Sequence, residues 1–141
     1  MSWAAQLHEI GGVISHADHH KHGAYIIDHS EVFGFSDDEL HRLGLLILGQ
    51  KGKLKKLDTD WSDERFCRML LSLRVAIILC HARTTPEINQ IVFRQLKGHL
   101  SFELFIPSQW SDKYPQSTHL LKLEQTSWEK TSASFAIKLT D

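Results

Sequence analysis

Apolar positions recur every three or four residues through the first part of the chain and every second residue after Pro86. Trp3, Leu7, Ile10 and Ile14 form one such stripe, which predicts an amphipathic helix starting almost at Met1 and stopping near Gly11-Gly12 or shortly after. A second, short helix is expected over His20 to Asp28, with Ala24, Ile26 and Ile27 apolar. Ser36-Asp37-Asp38-Glu39 has the spacing of a capping box, in which the serine oxygen accepts an amide three residues on and the glutamate reaches back. It should open a helix through Leu40, Leu43, Leu46 and Ile47 to Gly49. Asp60 or Ser62 is expected to cap a longer helix with the stripe Phe66, Met69, Leu70, Leu73, Ile77 and Cys80, limited by Pro86.

Beyond Pro86, Leu100, Phe102, Leu104 and Ile106 alternate with other residues, the period of a half-buried strand. Ile91 and Phe93 alternate ahead of Lys97-Gly98, so 88–95 and 99–106 are predicted to pair as a hairpin. A helical turn within Pro107 to Lys113, a helix over Ser117 to Lys130 presenting Leu120, Leu121, Leu123 and Trp128, and a last strand through Phe135, Ile137 and Leu139 complete the pattern. The expected class is α+β: a helical part over residues 1–84, then a small β-β-α-β part over 86–141.

Composition narrows the choices. The 141 residues suit one domain or one and a half small ones, and 42% hydrophobic with 23% charged residues excludes a wholly disordered chain. The apolar run from Leu43 to Leu48 is too short to cross a bilayer, and no basic-then-apolar export signal opens the sequence. Cys67 and Cys80 lie in one predicted helix, about 20 Å apart along its axis, beyond the reach of a disulfide. They read as small hydrophobes, and a reducing cytoplasm is the expected compartment.

The net charge of −1 conceals a polarity along the chain. Residues 1–41 hold Lys21 as their one basic residue against seven acids, whereas residues 42–74 hold eight basic residues and four acids. Seven of the ten histidines precede residue 42. Gln50-Lys51-Gly52-Lys53-Leu54-Lys55-Lys56 places four ammonium groups within six positions, with a glycine that lets backbone approach closely. It lacks both the Walker A spacing and the aromatics that stack on bases, so nucleic acid is not the expected partner. No nucleophile motif appears.

The segments Trp3-Ala4-Ala5-Gln6-Leu7-His8-Glu9-Ile10-Gly11, Ile14-Ser15-His16, His20-Lys21-His22-Gly23-Ala24-Tyr25-Ile26-Ile27 and Gly34-Phe35-Ser36 resemble the C-terminal region of the exopolyphosphatase and guanosine pentaphosphate phosphohydrolase (Ppx/GppA) family. Leu73-Arg74, Phe105-Ile106-Pro107 with Trp110, Leu123-Glu124 with Trp128, and Phe135-Ala136-Ile137-Lys138 continue the likeness. The resemblance implies a degenerate HD-like helical domain followed by a small α/β domain. It places the catalytic glutamate and the Mg²⁺ in an actin-like domain whose segments are not in this sequence. Relatives often carry Arg-x-His-Arg where this chain has Leu48-Gly49-Gln50-Lys51.

Three functions follow as expectations. On the first, the chain is a non-catalytic polyphosphate-binding and dimerisation portion of a phosphoanhydride hydrolase, inactive alone and without its own cofactor. Lys51, Lys53, Lys55, Lys56, Lys21, His20 and His22 would supply the positive potential, and the helical part would form a homodimer. On the second, it is a metal-dependent HD-type phosphohydrolase centred on the His8-Glu9 doublet, with His16, His20 and His22 completing the ligands and Asp58, Asp60 or Asp63 as a remote one. On the third, it is a structural module whose histidines only pack.

Overall fold

The computed structural model describes every residue except 82 and 84, so the expected end of the helical part at residue 84 lies outside the described residues. The helices are α1 (Ser2–Leu7), α2 (His19–Asp28), α3 (Asp37–Gly49), α4 (Glu64–Leu79), α5 (Ser108–Lys113) and α6 (Pro115–Trp128). The strands are β1 (Val92–Gln95), β2 (Ser101–Pro107) and β3 (Ser134–Thr140), and 3₁₀ turns occupy Ile10–Val13 and Leu54–Lys56. The class is mixed α+β. Two compact units arise, one from residues 1–59 with 69–74 and the other from residues 60–68 with 75–141, so α4 contributes to both. No helix among the described residues is long and apolar enough to cross a membrane.

In the first unit α2 packs on α3. Ala24 and Ile27 from α2 meet a core of Leu40, Leu43, Leu46 and Ile47 on α3, all buried, each large side chain contributing about 1.5–3 kcal/mol. The capping box forms as its spacing requires. Glu39 N–H donates to Ser36 Oγ at 3.2 Å, and Ser36 N–H donates to Glu39 Oε2 at 2.8 Å.

The amino-terminal stripe does not stay on one helix. α1 ends at Leu7, its buried residue is Ala4, and Trp3 and Ile14 stand largely exposed. The cause lies at Gly11, which is pressed against the backbone of α2: a Cβ built there would lie 1.8 Å from the His19 carbonyl oxygen and 2.5 Å from the Gly23 nitrogen. Only glycine permits that approach, and the chain leaves the helix to make it.

The cap and the inner face of α4, and the start of α2, also differ from the sequence reading. α4 is capped by Asp63, whose carboxylate accepts from Phe66 N–H at 3.0 Å. Asp60 instead accepts from the Ser62 amide and hydroxyl, closing the turn ahead of the helix. α4 buries Cys67, Leu71 and Val75 as well as Phe66, Leu70 and Leu73, while Cys80 is exposed at its end. α2 begins at His19, one residue early, because Asp18 takes the left-handed conformation (φ 55°) that turns the chain into it.

In the second unit β1 pairs antiparallel with β2 across the Lys97-Gly98 turn, where Gly98 has φ +75°. β2 pairs in parallel with β3, so α5 and α6 form the crossover that a parallel pair requires. Phe102, Leu104 and Ile106 point into the core together with Leu121 and Trp128 of α6. Leu123, expected on the inner face of α6, is exposed, and Glu124 is buried in its place. Glu124 Oε1 accepts from the Trp128 indole N–H at 2.6 Å, so the helix turns a polar pair inward.

Candidate anion-binding cleft

The lysine-rich segment is held by what lies beneath it. Leu54 and Leu57 are buried, which fixes the 3₁₀ turn between them and leaves the neighbouring lysines exposed. Gly52 has φ +85°, a left-handed position that side chains avoid, and it reverses the chain after α3. From α4 the buried Arg74 guanidinium donates to the Gly49 carbonyl at 2.6 Å and to the Gly52 carbonyl at 3.4 Å. Gln50, also buried, donates from Nε2 to the His8 carbonyl at 2.5 Å and ties the same loop to the end of α1.

Between this loop and the start of α2 lies a cleft of about 500 Å³. Lys51, Lys53 and Lys56 line it from the loop, and His20 and Lys21 from α2, over an apolar floor of Leu48, Leu54 and Leu57. Lys55 and His22 are not among its lining residues. Asp18 is the one carboxylate among the described lining residues. It pairs with Lys21 at 3.2 Å, and that hydrogen bond and charge hold its carboxyl below the usual aspartate range.

His20 is nine-tenths buried, and burial, followed by the neighbouring His19, holds its imidazole below the ordinary histidine value. With its positive lysines and a guanidinium positioned behind it, the cleft can receive an anion carrying several charges, which competes with Asp18 for Lys21 and meets Lys51, Lys53 and Lys56 from the loop.

The HD-type ligand set is dispersed. The His8 ring bonds through Nδ1 to the Ala5 carbonyl at 2.7 Å, and among the described residues no three His, Cys, Asp or Glu side chains converge as a metal site requires. Cys67 is not activated: burial, then Asp63 and Asp60, push its thiol up to about 11.

Residues 1–125 match the family model described as Ppx/GppA phosphatase, domain III. The chain belongs to the Ppx/GppA phosphatase family. It is 38% identical over 125 residues to the guanosine-5'-triphosphate,3'-diphosphate pyrophosphatase of Pseudoalteromonas translucida, covering 85% of this chain and 24% of that protein. The protein of the same name from Aeromonas hydrophila is 30% identical over 128 residues, covering 88% and 25%. The Photobacterium profundum protein is 28% identical over 137 residues, covering 96% and 27%. This Ppx/GppA domain thus spans about a quarter of the length of its relatives.

Arg74 and Asp18 lie outside the site residues that the sequence predicts. The signal for Arg74 was present: it is the one charged residue in the run from Met69 to Leu79, where an apolar helix face tolerates a guanidinium only if carbonyls receive it. Arg74→Leu removes that staple and leaves the Gly49 and Gly52 carbonyls short of a donor. A loss of about 2–4 kcal/mol in urea unfolding is expected. Arg74→Lys should recover part of it, since an ammonium keeps the charge but not the fork. Equal stability of Arg74→Leu and the unaltered chain would contradict this role.

Proposed function

We propose that this chain supplies a phosphate-chain-binding cleft to a Ppx/GppA phosphohydrolase, and that it holds the substrate without cleaving it. The observation that supports this is the gathering of Lys21, Lys51, Lys53, Lys56 and His20 around one cleft whose loop is anchored by Arg74. Ammonium groups act as point charges on phosphate oxygens, and their placement along a cleft favours consecutive phosphates over a single one. Inorganic polyphosphate and a guanosine polyphosphate share that chemistry, and the names of the relatives bring the nucleotide into the comparison. The helical unit is read as a degenerate HD-like fold, with the His8-Glu9 doublet following α1 but no metal-ligand cluster among the described residues.

Calorimetric titration with long-chain polyphosphate, and separately with the guanosine nucleotide, tests the proposal at about 50 and about 200 mM salt. Binding should be clear at the lower salt and weaken steeply at the higher one, because counterions are displaced by the lysines. No binding of either ligand at low salt would remove the proposal.

A further inference from the structure

The lysines supply charge to the cleft, yet the most enclosed polar group on its wall is His20. Its Nδ1 is buried with no hydrogen-bond partner among the described residues, and its Nε2 lies 3.9 Å from where a Cβ on Gly52 would stand. A buried ring nitrogen without a partner costs about 1–3 kcal/mol, and the core of α2 does not require an imidazole, since Ala24 and Ile27 provide its apolar face. Nδ1 is closed off, so Nε2, on the Gly52 side, is the nitrogen that an occupant of the cleft meets.

We propose that His20 is a proton-coupled phosphate ligand: as a phosphate chain enters the cleft, Nε2 takes one proton from solvent, the ring becomes imidazolium, and the new Nε2–H donates to a phosphate oxygen. This rests on the phosphate-binding reading above and adds to it a dependence on pH. The charged groups around the ring are Asp18, His19 and Lys21 at the start of α2, Lys51, Lys53 and Lys56 from the loop, and Arg74 of α4 behind Gly49 and Gly52. In the open cleft, burial acts first and His19 second to keep the ring neutral, Lys21 and Lys51 act in the same direction, and Asp18 opposes them. A phosphate chain reverses this balance by bringing negative charge and acceptor oxygens to the same wall.

The sign follows from linkage. Proton affinity at His20 is higher in the complex, so phosphate affinity rises as pH falls through the complex's midpoint. It levels off below the midpoint of the free chain, which lies beneath the ordinary histidine value of 6.5. One proton permits at most about a tenfold change per pH unit.

Long-chain polyphosphate is the appropriate probe, because its inner groups keep one charge each across this range. From about pH 8 to about pH 6 its dissociation constant should fall about five- to tenfold. Over the same range the His20 Cε1–H resonance, assigned by its loss in His20→Gln, should titrate at least about one unit higher in the complex than in the free chain. His20→Gln should bind more weakly than the unaltered chain near pH 6, and the lysine-dependent, salt-sensitive binding that remains should no longer vary with pH. If that variant does not fold, the ring resonances of the unaltered chain, assigned through the backbone, decide the matter. An unmoved His20 midpoint at saturating polyphosphate, or a pH dependence that persists in His20→Gln, overturns this inference and leaves the cleft reading in place. Absence of lysine-dependent binding at every pH overturns both.

Discussion

Replacing Lys51, Lys53 and Lys56 together by alanine is expected to weaken polyphosphate binding about 10²-fold at low salt, at about 1 kcal/mol for each lost ammonium–phosphate contact. All three lysines are exposed and line the same cleft, so their removal takes away charge without opening the core. The loop itself should remain, because Leu54, Leu57 and the Arg74 bonds to Gly49 and Gly52 hold it. The slope of log affinity against log salt should also shrink by about 2, as three fewer counterions are released on binding. Lys55→Ala provides the control within the same run, since Lys55 carries the same charge but does not line the cleft. Equal losses in Lys55→Ala and in any one of the three lining variants would mean that general charge, not the cleft, attracts the ligand.

The second large effect concerns stability. Gly11→Ala should cost more than about 3 kcal/mol, because the new Cβ meets backbone atoms of α2 rather than side chains that can rotate away. Its nearest neighbours would be the His19 carbonyl oxygen at 1.8 Å, the Gly23 nitrogen at 2.5 Å and the His19 carbonyl carbon at 2.8 Å. Relief requires the 10–13 turn to move off α2 as a whole. Gly12→Ala is the matched comparison: nothing lies within 4 Å of its Cβ position, and a change within about 0.5 kcal/mol is expected. Urea unfolding of the two variants measures the difference. Coincident transitions would show that Gly11 does not make this approach. Since α2 carries His20 and Lys21, the Gly11 variant should lose phosphate affinity along with stability, whereas the lysine variants should lose affinity alone.

How much of this was legible in the residues differs from element to element. Ser36 and Glu39 needed only each other, three positions apart, and the cap formed where they stand. The alternation from Phe102 to Ile106 likewise reports a local fact, that successive side chains of a strand point to opposite faces. The cap of α4 was less readable: Asp60, Ser62 and Asp63 are all suitable acceptors, and only the path of the preceding turn gives Asp60 to Ser62 and Asp63 to the helix. Glu124 defeats a reading by hydrophobicity because its carboxylate is buried beside the Trp128 indole N–H, a partner four residues away that makes a polar inner face affordable.

The site shows the same division. The lysine cluster, the histidine-rich segment and the order of helices before strands are written in the sequence, because each depends on neighbours along the chain. Which lysines face one cleft was decided by the tertiary structure. Lys51, Lys53 and Lys56 meet His20 and Lys21 because Gly52 reverses the backbone, Leu54 and Leu57 sink into the core, and Arg74, more than twenty residues downstream, takes hold of the loop's carbonyls. Lys55 has the same chemistry as its neighbours and lies outside the lining. Spacing along a chain sets which side chains are available, but only packing between distant segments sets the direction in which each one points.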